Sequence, residues 1–284
     1  MQLLTPPQYS TVSSLFSPFK HHSVIKSILS GQTPGKIYSE PFSQPKVVFA
    51  QFKHRTFVAG DPKAISLSDL QSFFTSTVFE NCRQWEVPLF RLSAESRAWI
   101  EKVSLSLESL DPIKVPYECY QYRIAYPLPE VQIPEGFVIQ MVTPDLVEKT
   151  FEGKEDLLEE MCSERESVEA FFDNSFGNVA FHEKTLAGWC LSEYNHKDQC
   201  EVGIATMPPF QKQGLAKSMT HAFIKLAASV GINKILWHCF KSNQASQRTA
   251  KSSGFKLLHE EPVLIVYLDR TLNAAVHGNL HFKA

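Results

Sequence analysis

The stretch Glu201–Ala216, EVGIATMPPFQKQGLA, passes from an alternating strand through a turn into an amphipathic helix, and that passage decides the fold. Val202 and Ile204 fall on one strand face, Glu201, Gly203 and Ala205 on the other. Pro208 and Pro209 end the strand, because neither can donate to a sheet ladder. From Leu215, the residues Leu215, Met219, Ala222, Phe223, Leu226, Ala227 and Val230 recur with a helical period, and Gly231 is placed to stop the helix. Between strand and helix, Gln211, Lys212, Gln213, Gly214, Leu215 and Ala216 set consecutive backbone N–H groups at a helix N-terminus. The helix dipole there favours an anion such as a pyrophosphate. Gly214 and Ala216 leave room for a ligand to approach the main chain closely.

This arrangement resembles motif A of the GNAT superfamily of acyl-CoA-dependent N-acyltransferases, whose signature is Gln or Arg, two residues, Gly, one residue, then Gly or Ala. Gln211, Gly214 and Ala216 satisfy it. Family members often carry a strand glutamate ten residues before the first motif residue, and Glu201 stands there. A second strand follows at Lys234–Cys239. Then come Asn243 and Ser246, and a helical stretch ending in Gly254 and Phe255, similar to the family's motif B. The segment PFKHHSVIKSILSGQTPGKIYSE, beginning at Pro18, looks like the amino-terminal region of a bacterial two-domain subfamily that includes zwittermicin A resistance-type acetyltransferases. In that subfamily the first half is a degenerate GNAT-like domain and the second half is catalytic. The fold expected is therefore α/β with a mixed sheet: a GNAT acyl-CoA N-acyltransferase fold preceded by a degenerate GNAT-like domain.

The pattern along the chain agrees with two domains. A helix is expected at Val24–Leu29, and strands at Lys36–Ser39, Lys46–Phe52 and Arg55–Ala59, the last two joined through Lys53 and His54. Ser66 or Ser68 can cap a helix bearing Leu70, Phe73, Phe74 and Val78, and Ser93 can cap one bearing Trp99, Ile100, Val103 and Leu107. A strand near Tyr117–Tyr126 leads into a linker punctuated by Pro127, Pro129 and Pro134. The expected division is a degenerate domain over residues 1–130, a catalytic domain over 131–271 and a tail over 272–284. In the second domain the expected elements are a strand at Phe137–Met141, a helix started by Thr143 or Asp145, and one helix from Leu157 to Phe172. A hairpin of Asn178–His182 and Leu186–Tyr194 follows.

Composition restricts the function classes. A chain of 284 residues that is 43% hydrophobic can build sizeable cores, and a formal net charge of −2 argues against a basic nucleic-acid surface. Cys82, Cys119, Cys162, Cys190, Cys200 and Cys239 are scattered, without a C-x-x-C pair or a metal-like cluster with histidine, so no metal is expected. They read as small buried hydrophobes in a reducing compartment. Residues Met1–Phe16 lack a cationic start and an apolar core, and no run approaches the ~20 apolar residues of a membrane helix, so a cytoplasmic protein without a membrane partner is expected.

The resemblance implies direct attack of an amine on the thioester of acetyl-CoA, the co-substrate. It implies a bulge near Ala205–Thr206, opposite His238–Cys239, where two strands splay and the pantetheine arm lies along Ile204, Ala205 and Thr206 like an added strand. Glu201 is the candidate general base, and its plainer reading is a strand carboxylate bonded to a neighbour or to solvent. Asn243, with Ser246, is the candidate contact to the CoA arm, and its plainer reading is a turn-forming residue before a helix. Many family members place a tyrosine acid four residues before the Gly-Phe glycine; here that position is Ala250, leaving Ser246, Tyr267, Tyr194 and His238 as substitutes. The acidic run Glu152, Glu155, Asp156, Glu159, Glu160, Glu164 and Glu166 reads either as a solvated helix face or as a field for a cationic substrate. The acceptor expected is a small-molecule amine and the assembly a monomer or homodimer. A peptide or protein amino group, or a catalytically silent acyl-CoA sensor, are the alternative readings.

Overall fold

Strand formation follows the apolar alternation and the tight turns between runs. In the computed structural model, which describes residues 1–41 and 44–272, β1 (Gln2–Leu3), β2 (Lys36–Glu40), β3 (Val47–Phe52) and β4 (Arg55–Gly60) are successive antiparallel neighbours. The β3–β4 hairpin turns at Lys53, which adopts φ +48°. The strand β5 (Leu89–Ala94) joins β4 in parallel and is flanked on its other side, antiparallel, by residues 263–267. Among the described residues, these elements belong to a unit formed by Met1–Glu118, Phe240–Ser242 and residues 260–272. Two 3-10 helices, Pro6–Thr11 and Ser13–Phe19, precede α1 (Ser23–Leu29). The tail expected at 272–284 lies outside the described residues from position 273 on.

The core of this unit is aromatic. Leu70, Phe73, Phe74 and Val78 are all buried on one long helix made of α2 (Leu67–Phe73), a π turn (Phe74–Val78) and α3 (Phe79–Gln84). They meet Phe49, Phe90 and Trp99, and the Phe74 and Phe90 rings stack at 5.5 Å. Each such side chain contributes roughly 1.5–3 kcal/mol by leaving water. Ser66 caps α2, accepting from Asp69 N at 3.0 Å. Ser93 does not cap the next helix. It lies inside β5, registered against both Phe57 and Val263, and strand pairing on both sides carries the chain past it. The helix α4 (Arg97–Ser106) is capped instead by Ser96.

The second unit comprises Cys119–Cys239 and Asn243–His259. Its strands are β6 (Ile113–Arg123, from Cys119 on), β7 (Phe137–Met141), β8 (Gly177–His182), β9 (Thr185–His196), β10 (Gln199–Thr206) and β11 (Lys234–Phe240), in the spatial order β6-β11-β10-β9-β8-β7. β7 to β10 are antiparallel neighbours, and β10 and β11 run parallel. The helices are α5 (Pro144–Glu148), α6 (Lys154–Ser163), α7 (Val168–Asn174), α8 (Leu215–Ser229) and α9 (Gln244–Ser252), and the chain then enters β12 (Lys256–Tyr267). Thr143 starts α5 by accepting from Leu146 N at 3.2 Å.

The single helix expected from Leu157 to Phe172 is two. Arg165 folds back between them, donating from Nε to Ser175 Oγ at 3.0 Å and from Nη2 to Asn174 O at 3.3 Å, and Ser167 caps α7. Two cores result. Val202, Trp237, Leu215, Met219 and Phe223 pack together on the α8 face, whereas Leu157, Met161, Phe171 and Trp189, with Ala205 against them, pack on the α5–α7 face. That division confirms the two faces assigned to β10. Gly231, at φ +83°, ends α8. Among the described residues no helix is long and apolar enough to cross a membrane. All six cysteines are free thiols.

Candidate active site

β10 is bonded along its whole length on one side only. Its antiparallel register with β9 runs from Gln199 to Thr206, with an irregularity between Gln199 and Glu201. The registered parallel pairing with β11 covers Gln199–Lys234, Cys200–Ile235 and Glu201–Leu236 and goes no further. The strands therefore part immediately after Glu201, four residues earlier than the Ala205–Thr206 bulge expected, and the irregularity sits at the opposite end of β10. Ile204, Ala205 and Thr206 are half-buried, in contrast to the buried run before them. Beyond Glu201 the β11-side edge of the strand is thus a row of main-chain groups that an extended ligand can pair with.

Glu201 occupies the fork itself. It lies opposite Glu193 on β9 and Leu236 on β11, and it is 1% exposed. Leu236 and His238 share a strand face, which brings His238 Nδ1 to 3.3 Å from Glu201 Oε2. Among the four substitutes for the missing tyrosine, His238 is brought into contact with Glu201. Ser246 Oγ instead accepts from the Trp237 indole at 2.8 Å. Tyr194 is fully buried at φ +48° in β9, and Tyr267 belongs to the other unit. No spacing rule links positions 201 and 238; their meeting depends on the parallel register.

Gly203, two residues beyond Glu201 on the same face, is covered by carboxylates. A Cβ there would collide with Glu193 Oε1, and Glu160 Oε1 lies 3.5 Å from the same point. Burial pushes the Cys200 thiol well above its usual range, and the carboxylates of Glu201 and Glu193 push it further. Burial also pulls the Arg165 guanidinium down, opposed by Glu164 and Glu193. The acidic run therefore divides. Glu152, Glu155, Glu159 and Glu166 are exposed, as a solvated face requires, whereas Asp156 and Glu160 are half-buried and Glu164 is buried.

The turn after β10 is braced by its own side chains. Pro208–Phe210 form one 3-10 turn, Gln211 Nε2 donates to Thr206 O at 3.0 Å, and Gln213 Nε2 donates to Pro209 O at 3.4 Å. Lys212 and Gly214 both take positive φ, +62° and +82°. Gln211, Lys212, Gln213 and Gly214 are exposed, Ala216 is half-buried, and Leu215 turns its side chain into the core beside Met219. Gly214 is the N-cap residue of α8 and supplies no side-chain cap, and no heavy atom lies within 4 Å of where its Cβ would stand. An α-helix of 15 residues thus opens onto free space with its positive end bare.

Asn243 caps α9, its Oδ1 accepting from Ser246 N at 3.0 Å. Ala250, which stands where many family members place a tyrosine, is fully buried in the α8-side core. Gly254 takes φ +92°, its missing Cβ leaving room for the Tyr122 ring, and Phe255 packs on that ring at 5.3 Å.

Comparison with known proteins agrees with this geometry. The family model described as GNAT acetyltransferase matches residues 13–264. The uncharacterized N-acetyltransferase YdfB of Bacillus subtilis strain 168 is 23% identical over 261 residues, 92% of this chain and 96% of its own. The crystal structure of a GCN5-related N-acetyltransferase-like protein from Streptococcus suis 89/1591 matches with a TM-score of 0.67 at 19% identity, covering 92% of this chain and 98% of its own. A tandem GNAT protein from the clavulanic acid biosynthesis pathway matches with a TM-score of 0.56 at 10% identity, covering 93% and 97%.

Proposed function

Because this chain belongs to the GNAT acetyltransferase family and is an N-acetyltransferase, we propose that it transfers the acetyl group of acetyl-CoA to a primary amine of a small molecule, by direct attack on the thioester. One observation carries the reading. The strand fork opens at Glu201, and the same strand leads to the bare, unobstructed N-terminus of α8.

The residues fit acetyl-CoA, which brings an acyl group already activated as a thioester. Gln213, Gly214, Leu215 and Ala216 hold the pyrophosphate through their main-chain N–H groups. Leu215 takes part through main chain alone, its side chain being in the core. Gln211 brings its side chain back to Thr206 O and holds the turn in shape. Lys212 stands exposed beside the same anion. Ile204, Ala205 and Thr206 present the edge along which the pantetheine arm pairs, and an N–H of that edge stabilises the developing oxyanion. The cap uses Asn243 Oδ1, so its contact to the arm comes from Nδ2, with Ser246 beside it.

An amine near its solution pKa is protonated at pH 7, so a base must accept a proton directly or through water. Glu201 fills that role, with His238 as the next group in line. The carboxylates of Glu193 and Glu160 over Gly203 favour a cationic acceptor. The likeness of the first half to zwittermicin A resistance-type proteins belongs to the same reading without specifying the antibiotic. A cytoplasmic setting suits six free thiols.

Thiol release from acetyl-CoA, followed across a panel of small amines, antibiotics and peptides, tests the proposal. Acceptor-dependent release with a small cationic amine is expected. Release with peptides alone, or acetyl-CoA binding without turnover on any acceptor, would refute it.

A further inference from the structure

His21 and His22 are neighbours in sequence, and both rings are buried, at 7% and 0% exposure. They lie in the turn between the second 3-10 helix and α1, His22 serving as the α1 N-cap residue at φ −113°, ψ 112°. Consecutive residues in extended chain send their side chains to opposite sides. The turn here brings the two rings together instead, with centroids 4.5 Å apart. Both Nε2 atoms meet one carboxylate some 240 residues later in sequence: His21 Nε2 lies 3.3 Å from Glu261 Oε2, and His22 Nε2 2.8 Å from Glu261 Oε1. Glu261 is itself 8% exposed, and Ser93 Oγ donates to its Oε1 at 3.0 Å. The three ligand atoms all lie within 4.8 Å of one another.

The geometry points to a binding site for a divalent transition metal of the zinc class, held by His21 Nε2, His22 Nε2 and Glu261 within the first unit. Two imidazoles and a carboxylate form a borderline donor set of the kind zinc accepts. Ligands about 2.0–2.1 Å from a tetrahedral ion stand roughly 3.3 Å from one another, and octahedral neighbours stand roughly 2.9 Å apart. The 3.3 Å and 2.8 Å separations from the two imidazoles to the Glu261 carboxylate therefore fall in the range of adjacent ligands. Ser93 orients the carboxylate, as outer hydrogen bonds do at metal sites. Phe57 packs against His22 at 5.0 Å and Phe19 against Phe57 at 5.3 Å, giving an apolar wall in which a buried carboxylate benefits from a cation. On binding, each imidazole gives its Nε2 lone pair to the ion and carries its proton on Nδ1. The ion joins the turn before α1 to the start of the Glu260–Tyr267 segment, so it acts as a structural clamp.

The test uses the full chain, stripped with chelator and titrated with Co2+ alone, then with Zn2+ in competition. We expect one Co2+ per chain with a visible d–d spectrum free of thiolate charge-transfer bands, displaced by Zn2+, and a rise in Tm with either ion. Glu261→Gln keeps the shape and hydrogen-bonding capacity of the side chain, yet should weaken Co2+ binding at least about 100-fold, as should His21→Ala. Ser93→Ala, a change that leaves all three ligands in place, should weaken it by about 10-fold. No Co2+ binding by the wild type would reduce the trio to a hydrogen-bonded network and overturn the site. Thiolate bands, or unchanged affinity in Glu261→Gln and Ser93→Ala, would overturn it equally by placing the ion elsewhere.

Discussion

His238 Nδ1 stands 3.3 Å from Glu201 Oε2 at the fork between β10 and β11, and both side chains are almost closed to solvent. A buried carboxylate beside an imidazole can pass a proton onward instead of holding it, which separates this pair from an isolated strand carboxylate.

Glu201→Gln should therefore slow turnover by about 10²–10⁴-fold while leaving acetyl-CoA affinity near the wild-type value. His238→Gln should give a smaller loss, because it removes the second group and leaves the first. Both losses should shrink as pH rises toward the pKa of the acceptor amine, since the neutral amine needs no base before attack. Steady-state kinetics across pH 6–9 measure this, and wild-type rates in Glu201→Gln throughout would remove the carboxylate from the mechanism.

Gly214 combines φ +82° with empty space around its Cβ position. Gly214→Ala should cost about 1–2 kcal/mol of stability through the left-handed backbone alone, with a modest effect on affinity. Gly214→Glu carries the same strain and adds bulk and negative charge where the pyrophosphate is to sit, so it should abolish acetyl-CoA binding in a folded protein. Calorimetry with both variants separates strain from obstruction. Equal affinities for the two would show that the ligand does not pass over this residue.

Gly203 is different, since its Cβ position is taken by the Glu193 carboxylate. Gly203→Ala should destabilise by about 1–3 kcal/mol through overpacking, and Gly203→Ala with Glu193→Ala should destabilise by less than the sum of the single changes. Urea denaturation of the four proteins closes the cycle. Strict additivity would mean that Glu193 does not rest over Gly203 in solution.

The thiols should sort by burial. Burial pushes Cys82 up to about 12 and lifts Cys190 and Cys200 well above their usual range. At pH 8 a thiol with a pKa of about 12, as at Cys82, is about one part in 10⁴ thiolate, the reactive form, and the upward shift at Cys190 and Cys200 acts in the same direction. Iodoacetamide at pH 8 should leave these three unmodified in the native protein, reach the half-buried Cys162 first, and label all six in denaturant. Peptide mass spectrometry reads the pattern. Rapid native labelling of Cys200 would mean that β10 opens next to Glu201.

The parts of the fold visible in the sequence are those with local causes. The change from alternation at Val202–Ile204 to a helical period from Leu215, with Pro208 and Pro209 between, places the strand, turn and helix by steric rules alone. The break between α6 and α7 was hidden because Leu157, Met161, Val168 and Phe171 keep an apolar period across it. The break depends on Arg165 reaching Ser175 and Asn174, contacts that period cannot encode. Ser93 carried a plausible cap signal that strand pairing on both sides overrode. The Glu201–His238 pair and the His21–His22–Glu261 cluster were illegible for one shared reason. Their members meet through tertiary structure, and nothing in their spacing records it.

The residues between Cys119 and Arg123 belong with the second unit, where Tyr120 is fully buried in the core that also holds Trp237 and Phe255. β6 is the neighbour of β11 on the side away from β10. A chain beginning at Pro134 would lose Tyr120 from that core and expose the Lys234–Cys239 edge of β11, while retaining β10, the turn at Gly214 and α8. Losing a buried aromatic side chain costs about 3–5 kcal/mol, and an unpaired internal edge invites pairing between chains. Such a chain should aggregate, whereas one beginning at Asp111, which keeps the whole of β6, should be markedly more soluble. Light scattering after expression of both would compare them. Equal, monodisperse behaviour of the shorter chain would show that β6 is dispensable to the second unit.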